Sequence, residues 1–297
     1  MNKNNLEYIK KFPWDLEFIE KQSYEMCIEA VRQDGLLIED VKWDELNLTK
    51  EQTYNLYLLS VRENGLALKY IKEQTPRICM EAVKQDGKAL KYVKNQTPEI
   101  CIKAVKQNGY ALQYVKWDEL SLTKEQIYNL YLDAVKENGF ALRYVELDEL
   151  ECNQTYELCL EAVKQNGRAL MLVEEQSNEL CTEAVKQNGL ALGYVENKIY
   201  EVCKEALKQN KLAIKYIIDK EKYLKEFGIK YLEAHGKVRE VIAIKEDGEW
   251  LFAIGYQYKI TKDEFIERIY NTDGGFDPEK GVNVHRQVYL NFLKEFK

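Results

Sequence analysis

Over residues 14–218 the apolar positions return in one phrase, and the copy TPRICMEAVKQDGKALKYVKNQ at 75–96 shows its pattern. Ile78, Cys79, Ala82 and Val83 recur at helical spacing and form one apolar stripe. Thr75 is a good N-cap and Pro76 suits the first helical position, so a helix is expected to open there. Asp86-Gly87 is expected to end it, because glycine takes the left-handed conformation at little cost. Ala89, Leu90 and Val93 then form a second stripe on a short helix. Each phrase therefore predicts an αα-hairpin that is too small to bury its own apolar face and must stack on its neighbours.

The anchoring glycines are Gly35, Gly65, Gly87, Gly109, Gly139, Gly167 and Gly189, and Lys211 takes the eighth place. The plain step is 22 residues, and three steps are lengthened by inserts. An incomplete copy, FPWDLEFIEKQ, precedes the first. Ser23, Thr53, Thr75, Thr97, Thr155 and Ser177 stand at the expected cap, while Ile127 and Ile199 break the rule. The inserts WDELNLTK (43–50) and WDELSLTK (117–124) carry their own start signal, Thr49 with Gln52 and Thr123 with Gln126. They are expected to lengthen the first helix and the loop before it. The fold class is mainly α: a repeat solenoid over 1–218, a helical cap or linker over 219–236, and a small α+β module over 237–297. In that last part VREVIAIKEDGEWLFAIGYQYKI alternates around Asp247-Gly248, a β-hairpin signal. Thr261 with Glu264 is a capping box.

The phrase resembles the bacterial repeat known as domain of unknown function 4116, whose core reads A-V-K-x-N-G-x-A-L. Ala104, Val105, Lys106, Asn108, Gly109, Ala111 and Leu112 carry the resemblance, which spans about residues 14–218. It implies the fold and assigns no chemistry.

Composition narrows the picture. A charged fraction of 31% with a hydrophobic fraction of 45% reads as globular, and the net charge of −7 argues against general nucleic-acid or anionic-membrane binding. MNKNNLEYIKKFPW has no apolar core of signal-peptide length, and no run approaches about 18 apolar residues. Cys27, Cys79, Cys101, Cys159, Cys181 and Cys203 are one repeat position written six times, and Tyr57 and Tyr131 hold it in the other two copies. They read as thiols packed in a helical core, with no zinc spacing. Unpaired thiols point to a reducing, cytoplasmic setting. Richness in Lys, Asn, Ile, Glu and Tyr suggests an AT-rich bacterial or phage genome.

Three function classes are weighed. The favoured one is non-catalytic binding of a protein partner through the solenoid surface, one version being a phage- or mobile-element-encoded inhibitor of a bacterial defence enzyme. Its candidate residues are Tyr92, Tyr110, Tyr114, Phe140 and Tyr144 on the second helices, extended by Trp43 and Trp117. The second class is RNA or nucleoprotein binding through a basic ladder three residues before the anchors, which includes Lys84, Lys106, Lys136 and Lys164. Acids three residues earlier suit ordinary surface pairing instead. The third is an enzyme in the C-terminal module, with His285 as base and Asp273 or Asp277 as its partner. No nucleophile–base spacing supports it, and the sequence names no catalytic set, cofactor or metal. A switch from Lys42, Lys72, Lys94 and Lys116 to Glu146, Glu174 and Glu196 at one repeat position suggests opposite polarity at the two ends of the solenoid.

Overall fold

A computed structural model describes residues 6–271, 276–277 and 282–296. The chain divides into two compact units, 1–175 and 176–297. The first unit is a stack of hairpins. After Leu6–Lys11 and the 3₁₀ helix Pro13–Phe18 come the hairpin helices Tyr24–Gln33, Lys50–Glu63, Pro76–Gln85, Pro98–Gln107, Lys124–Glu137 and Cys152–Gln165, each followed by a six-residue 3₁₀ helix that opens at the anchor glycine. Successive α-helices pack on one another, and so do successive 3₁₀ helices. The expected repeat of helix pairs is therefore present, with the second helix 3₁₀ rather than α. In the second unit two further hairpins, Asn178–Gln187 with Gly189–Tyr194 and Tyr200–Gln209 with Lys211–Tyr216, follow the same plan. A helix, Glu221–Phe227, comes next.

Local chemistry explains the hairpin. Ser23, Thr75, Thr97 and Ser177 cap their helices by accepting an N–H from three residues on. Both inserts of the WDEL type extend the helix to 14 residues and close the expected capping boxes. Thr53 and Thr155 consequently fall inside their helices and cap nothing; Glu151 with Gln154 opens the latter. The residue before each anchor is extended, near φ −149° at Asn188, and links the two helices. In all eight hairpins its side chain accepts the N–H two residues on, which starts the 3₁₀ turn.

The reason for the anchor glycine differs from the expectation. None of the anchors is left-handed; among the described residues the glycines with positive φ are Gly228, Gly236, Gly248 and Gly255. A Cβ on Gly65, Gly87, Gly109 or Gly139 would instead fall inside 3.0 Å of a backbone carbonyl of the following hairpin's α-helix, on Ala82, Ala104, Ala134 and Ala162. Glycine is required by this close approach of backbones, so it marks stacking and not helix termination.

Two sets of glutamines bind the stack. Gln85, Gln107 and Gln165 each accept the anchor N–H of the preceding hairpin, at 2.5–2.7 Å, and donate to a carbonyl two residues before that anchor. Gln96 lies in the core, where its amide donates to Leu90 O and Tyr114 O and its oxygen accepts Lys116 N–H and the Cys101 thiol. Gln22 and Gln74 repeat this arrangement with Cys27 and Cys79. The six repeat cysteines are buried and free, and Cys152 is exposed. Burial pushes the Cys27 and Cys101 thiols up to about 12.

The C-terminal part of the second unit holds an antiparallel sheet in the order β1 Ile229–Leu232, β2 Val241–Glu246, β3 Glu249–Ile254 and β4 Gln257–Ile260. The hairpin expected at Asp247-Gly248 joins β2 to β3, with both turn residues at positive φ. The stretch expected to be a helical linker over 219–236 contains β1, which pairs with β2. Val241, Ala243 and Phe252 on one face of the sheet pack against Phe265 and Ile269 of the capped helix Lys262–Tyr270 and against Phe292. Phe276–Asp277 pairs with Val282–Asn283 before the last helix, Val284–Leu293. Among the described residues no helix is long and apolar enough to cross a membrane.

Candidate interaction face

A 3₁₀ helix has three residues per turn, so positions three apart lie over one another. That period sorts the phrase G-x-A-L-x-Y-V into three rows. The third and sixth positions after the anchor, such as Leu90 with Val93 and Leu112 with Val115, are buried. The second and fifth combine a fully buried alanine with a half-buried tyrosine, as in Ala89 with Tyr92 and Ala111 with Tyr114. The first and fourth face solvent. An α-helix would pair the first position with the fifth; the 3₁₀ turn pairs it with the fourth.

In residues 1–175 the first position reads Leu36, Leu66, Lys88, Tyr110, Phe140 and Arg168. The fourth reads Glu39, Lys69, Lys91, Gln113, Arg143 and Met171, all exposed. These two rows vary in chemistry while the packed rows hardly vary. Tyr92, Tyr110, Tyr114, Phe140 and Tyr144 are half-buried. Tyr110 meets Tyr144 of the next hairpin edge to face, with ring centroids 6.2 Å apart. Lys69 Nζ lies 4.2 Å from the centroid of Tyr70, and the Arg143 guanidinium lies 5.6 Å from that of Phe140.

Trp43 and Trp117 pack inward from the inserts. Trp43 sits 5.0 Å from Tyr57 and Trp117 5.4 Å from Tyr131, ring to ring. Tyr57 and Tyr131 are the two copies in which tyrosine replaces the repeat cysteine. The tryptophan and the tyrosine thus form one substitution: a larger insert brings a ring, and a larger core residue meets it.

The basic ladder stands on the α-helices and is largely neutralised. Lys84 reaches Glu81 at 2.9 Å and Lys164 reaches Glu161 at 3.0 Å within their own helices. Lys106 reaches Asp133 of the next helix at 3.4 Å, and Arg62 reaches Glu81 at 3.0 Å. Lys136 has no ion pair among the described residues. The lysines of the charge switch have a structural duty the sequence did not announce. Lys42, Lys94 and Lys116 donate from Nζ to Ile19 O, Lys72 O and Lys94 O of the preceding turn, at 2.7–2.8 Å.

Asp273, and the side chain of Asp277, lie outside the described residues, so the proposed pairing with His285 has no described geometry. His285 itself is half-buried near the start of the last helix. Among the described residues no three His, Cys, Asp or Glu side chains gather to hold a metal.

The family model described as "Domain of unknown function (DUF4116)" matches residues 54–97, 75–121, 128–176 and 177–221, two hairpins at a time. The chain belongs to this family. No curated protein and no solved structure matches it. The matched spans open within α-helices or at their caps and include the anchors from Gly65 to Lys211, so the match covers the stacked hairpins.

Proposed function

We propose that the protein is a non-catalytic binding protein whose 3₁₀ face, in residues 1–175, contacts a protein partner. One observation carries the reading. The first and fourth positions after each anchor are the chemically diverse rows; the fourth is exposed throughout, and the first is exposed at Lys88 and Arg168 and half-buried at Leu36, Leu66, Tyr110 and Phe140. Repeat surfaces of this kind add contact area unit by unit without a pocket. Aromatic and arginine side chains are favoured interface anchors, and Tyr110, Phe140, Arg143 and Arg168 stand on these rows. The ladder on the α-helices supports no parallel reading as a phosphate site, because carboxylates already meet most of its charge.

The test isolates the full chain from its native host and compares it with two variants. Tyr110→Ala with Phe140→Ala removes the central rings. Gln113→Arg with Met171→Arg adds bulk at two exposed positions that support no packing. Loss of a co-purifying protein in both variants, with unchanged melting, is expected. A partner retained by both, or a bound species removed by nuclease, would refute the reading.

A further inference from the structure

The two solvent faces of residues 1–175 differ in how their charge is met. On the α-helices the ladder cations have carboxylate partners at 2.6–3.4 Å, with Lys136 the exception. On the 3₁₀ rows stand Lys69, Lys88, Lys91, Arg143 and Arg168, and among the described residues none of the five forms an ion pair. Three of them lie beside rings instead: Lys69 at Tyr70, Lys91 at Tyr92 and Arg143 at Phe140. A ring holds a cation in place without cancelling its charge. Glu39, at the first hairpin, is the one acid on these rows in this unit. The Glu39 carboxylate acts on Lys69, and with no other acid on these rows a chain with a net charge of −7 still concentrates positive charge on one face.

We infer that this face docks an acidic, extended segment of the partner protein, with carboxylates meeting the five cations and apolar side chains seated between them. The inference rests on the reading of the 3₁₀ face as the binding surface. Along the first-position row two apolar residues precede each cation: Leu36 and Leu66 before Lys88, and Tyr110 and Phe140 before Arg168. A polypeptide that carries both acidic and apolar side chains complements both features. A nucleic acid would meet the cations and leave the apolar positions unmatched, and the tyrosines of the row beside them are half-buried, with Lys69 and Lys91 already over the rings of Tyr70 and Tyr92 where a base would stack. From the 3₁₀ helix Gly65–Tyr70 to Gly139–Tyr144 the stack advances three steps. At roughly 10 Å a step this is about 30 Å, the span of about nine extended residues. Acidic side chains about every third residue would match the steps.

The probe is a fluorescein-labelled copolymer of glutamate and tyrosine, read by anisotropy with the full chain. A lysine–tyrosine copolymer and a thymidine oligonucleotide serve as controls. The glutamate–tyrosine copolymer should bind, weaken as salt rises, and lose affinity about tenfold or more in Lys69→Glu with Lys91→Glu and Arg143→Glu. Lys84→Glu with Lys164→Glu, on the other face, should change it less than about twofold. A second set, Lys69→Gln with Lys91→Gln, should give an intermediate loss, and circular dichroism checks that every variant is folded. Absence of binding, equal loss from both faces, or tighter binding of the oligonucleotide would overturn the inference. So would a native partner that survives the charge reversal but is lost with Tyr110→Ala and Phe140→Ala; that outcome would keep the face as the binding surface and remove the acidic segment.

Discussion

Replacing Gly189 by alanine should separate two hairpins. The added Cβ would stand 2.5 Å from the carbonyl oxygen of Ala206, 2.8 Å from Gln209 Oε1 and 3.0 Å from Asn210 Cβ. The nearest of these is backbone inside a helix and cannot swing aside. Restoring ordinary contact needs the helix Tyr200–Gln209 to retreat by about 1 Å. That retreat stretches the bond from Gly189 N–H to Gln209 Oε1, now 2.6 Å, beyond useful range. Overpacking costs about 1–3 kcal/mol and the lost hydrogen bond about 1 kcal/mol. Alanine returns about 0.5–1 kcal/mol by restricting the unfolded chain. The net loss is about 1–3 kcal/mol, or roughly 2–5 °C in Tm for a chain of this size. Lys211 is the control: it occupies the same place in the last hairpin, where a side chain is accommodated, so Lys211→Ala should melt within about 1 °C of the parent. Thermal circular dichroism on the two variants measures both. Gly189→Asn adds a sharper criterion, since asparagine tolerates the left-handed conformation. It should be worse than alanine. Gly189→Ala melting with the parent, or Gly189→Asn milder than Gly189→Ala, would refute the close-approach argument.

Cys101→Ala should cost about 1–2 kcal/mol and Cys101→Asp about 3–5 kcal/mol in chemical denaturation, because the aspartate would be buried among apolar neighbours. A thiol reagent on the native protein should label Cys152 fast and the six repeat cysteines only after unfolding. The Cys101 thiol is raised from 9.0 to about 12 in the fold, so its contribution is complete below about pH 9 and is lost as pH climbs towards 12. At pH 10 the unfolded thiolate should already take away about 1 kcal/mol, a part of the pH slope that Cys101→Ala should remove. Gln96→Leu deletes four hydrogen bonds, leaves Leu90 O, Tyr114 O and Lys116 N–H without this partner, and should cost about 3 kcal/mol or more by denaturant titration. Deleting residues 88–109 removes one whole 3₁₀–α step and brings Gly87 up to the contact Gly109 now makes with Ala134 O, so helical circular dichroism should persist; deleting 88–98 should not be tolerated.

The stacking unit was legible because its signals are short-range and repeated. Ser and Thr caps, the Thr49–Gln52 and Thr123–Gln126 boxes, and the buried Ala, Leu and Val rows follow from side-chain chemistry within a few residues. The 3₁₀ character of the second helix was not legible. Over six residues an apolar pair such as Ala89-Leu90 with Val93 fits a period of 3.0 or 3.6 equally well. Read as an α-helix, the segment would set the tyrosines on the same row as the first position and hide the fourth. The glycine was read as a conformational residue because a sequence shows no approaching backbone, and Ala206 O is the fact that decides it. Gln85 and Gln96 were passed over because polar residues in a charged chain read as surface, while their role is to satisfy backbone groups of neighbouring hairpins. Strand β1, four residues long beside a helix, carried too short an alternation to separate from it.

The most direct test of the binding face is amide hydrogen exchange on the full chain, alone and with the protein that co-purifies from its host. Protection should concentrate in the 3₁₀ helices Gly65–Tyr70, Gly87–Tyr92, Gly109–Tyr114 and Gly139–Tyr144, with the α-helices Pro76–Gln85 and Pro98–Gln107 unchanged. Protection confined to those α-helices, or to the sheet β1–β4, would contradict the account.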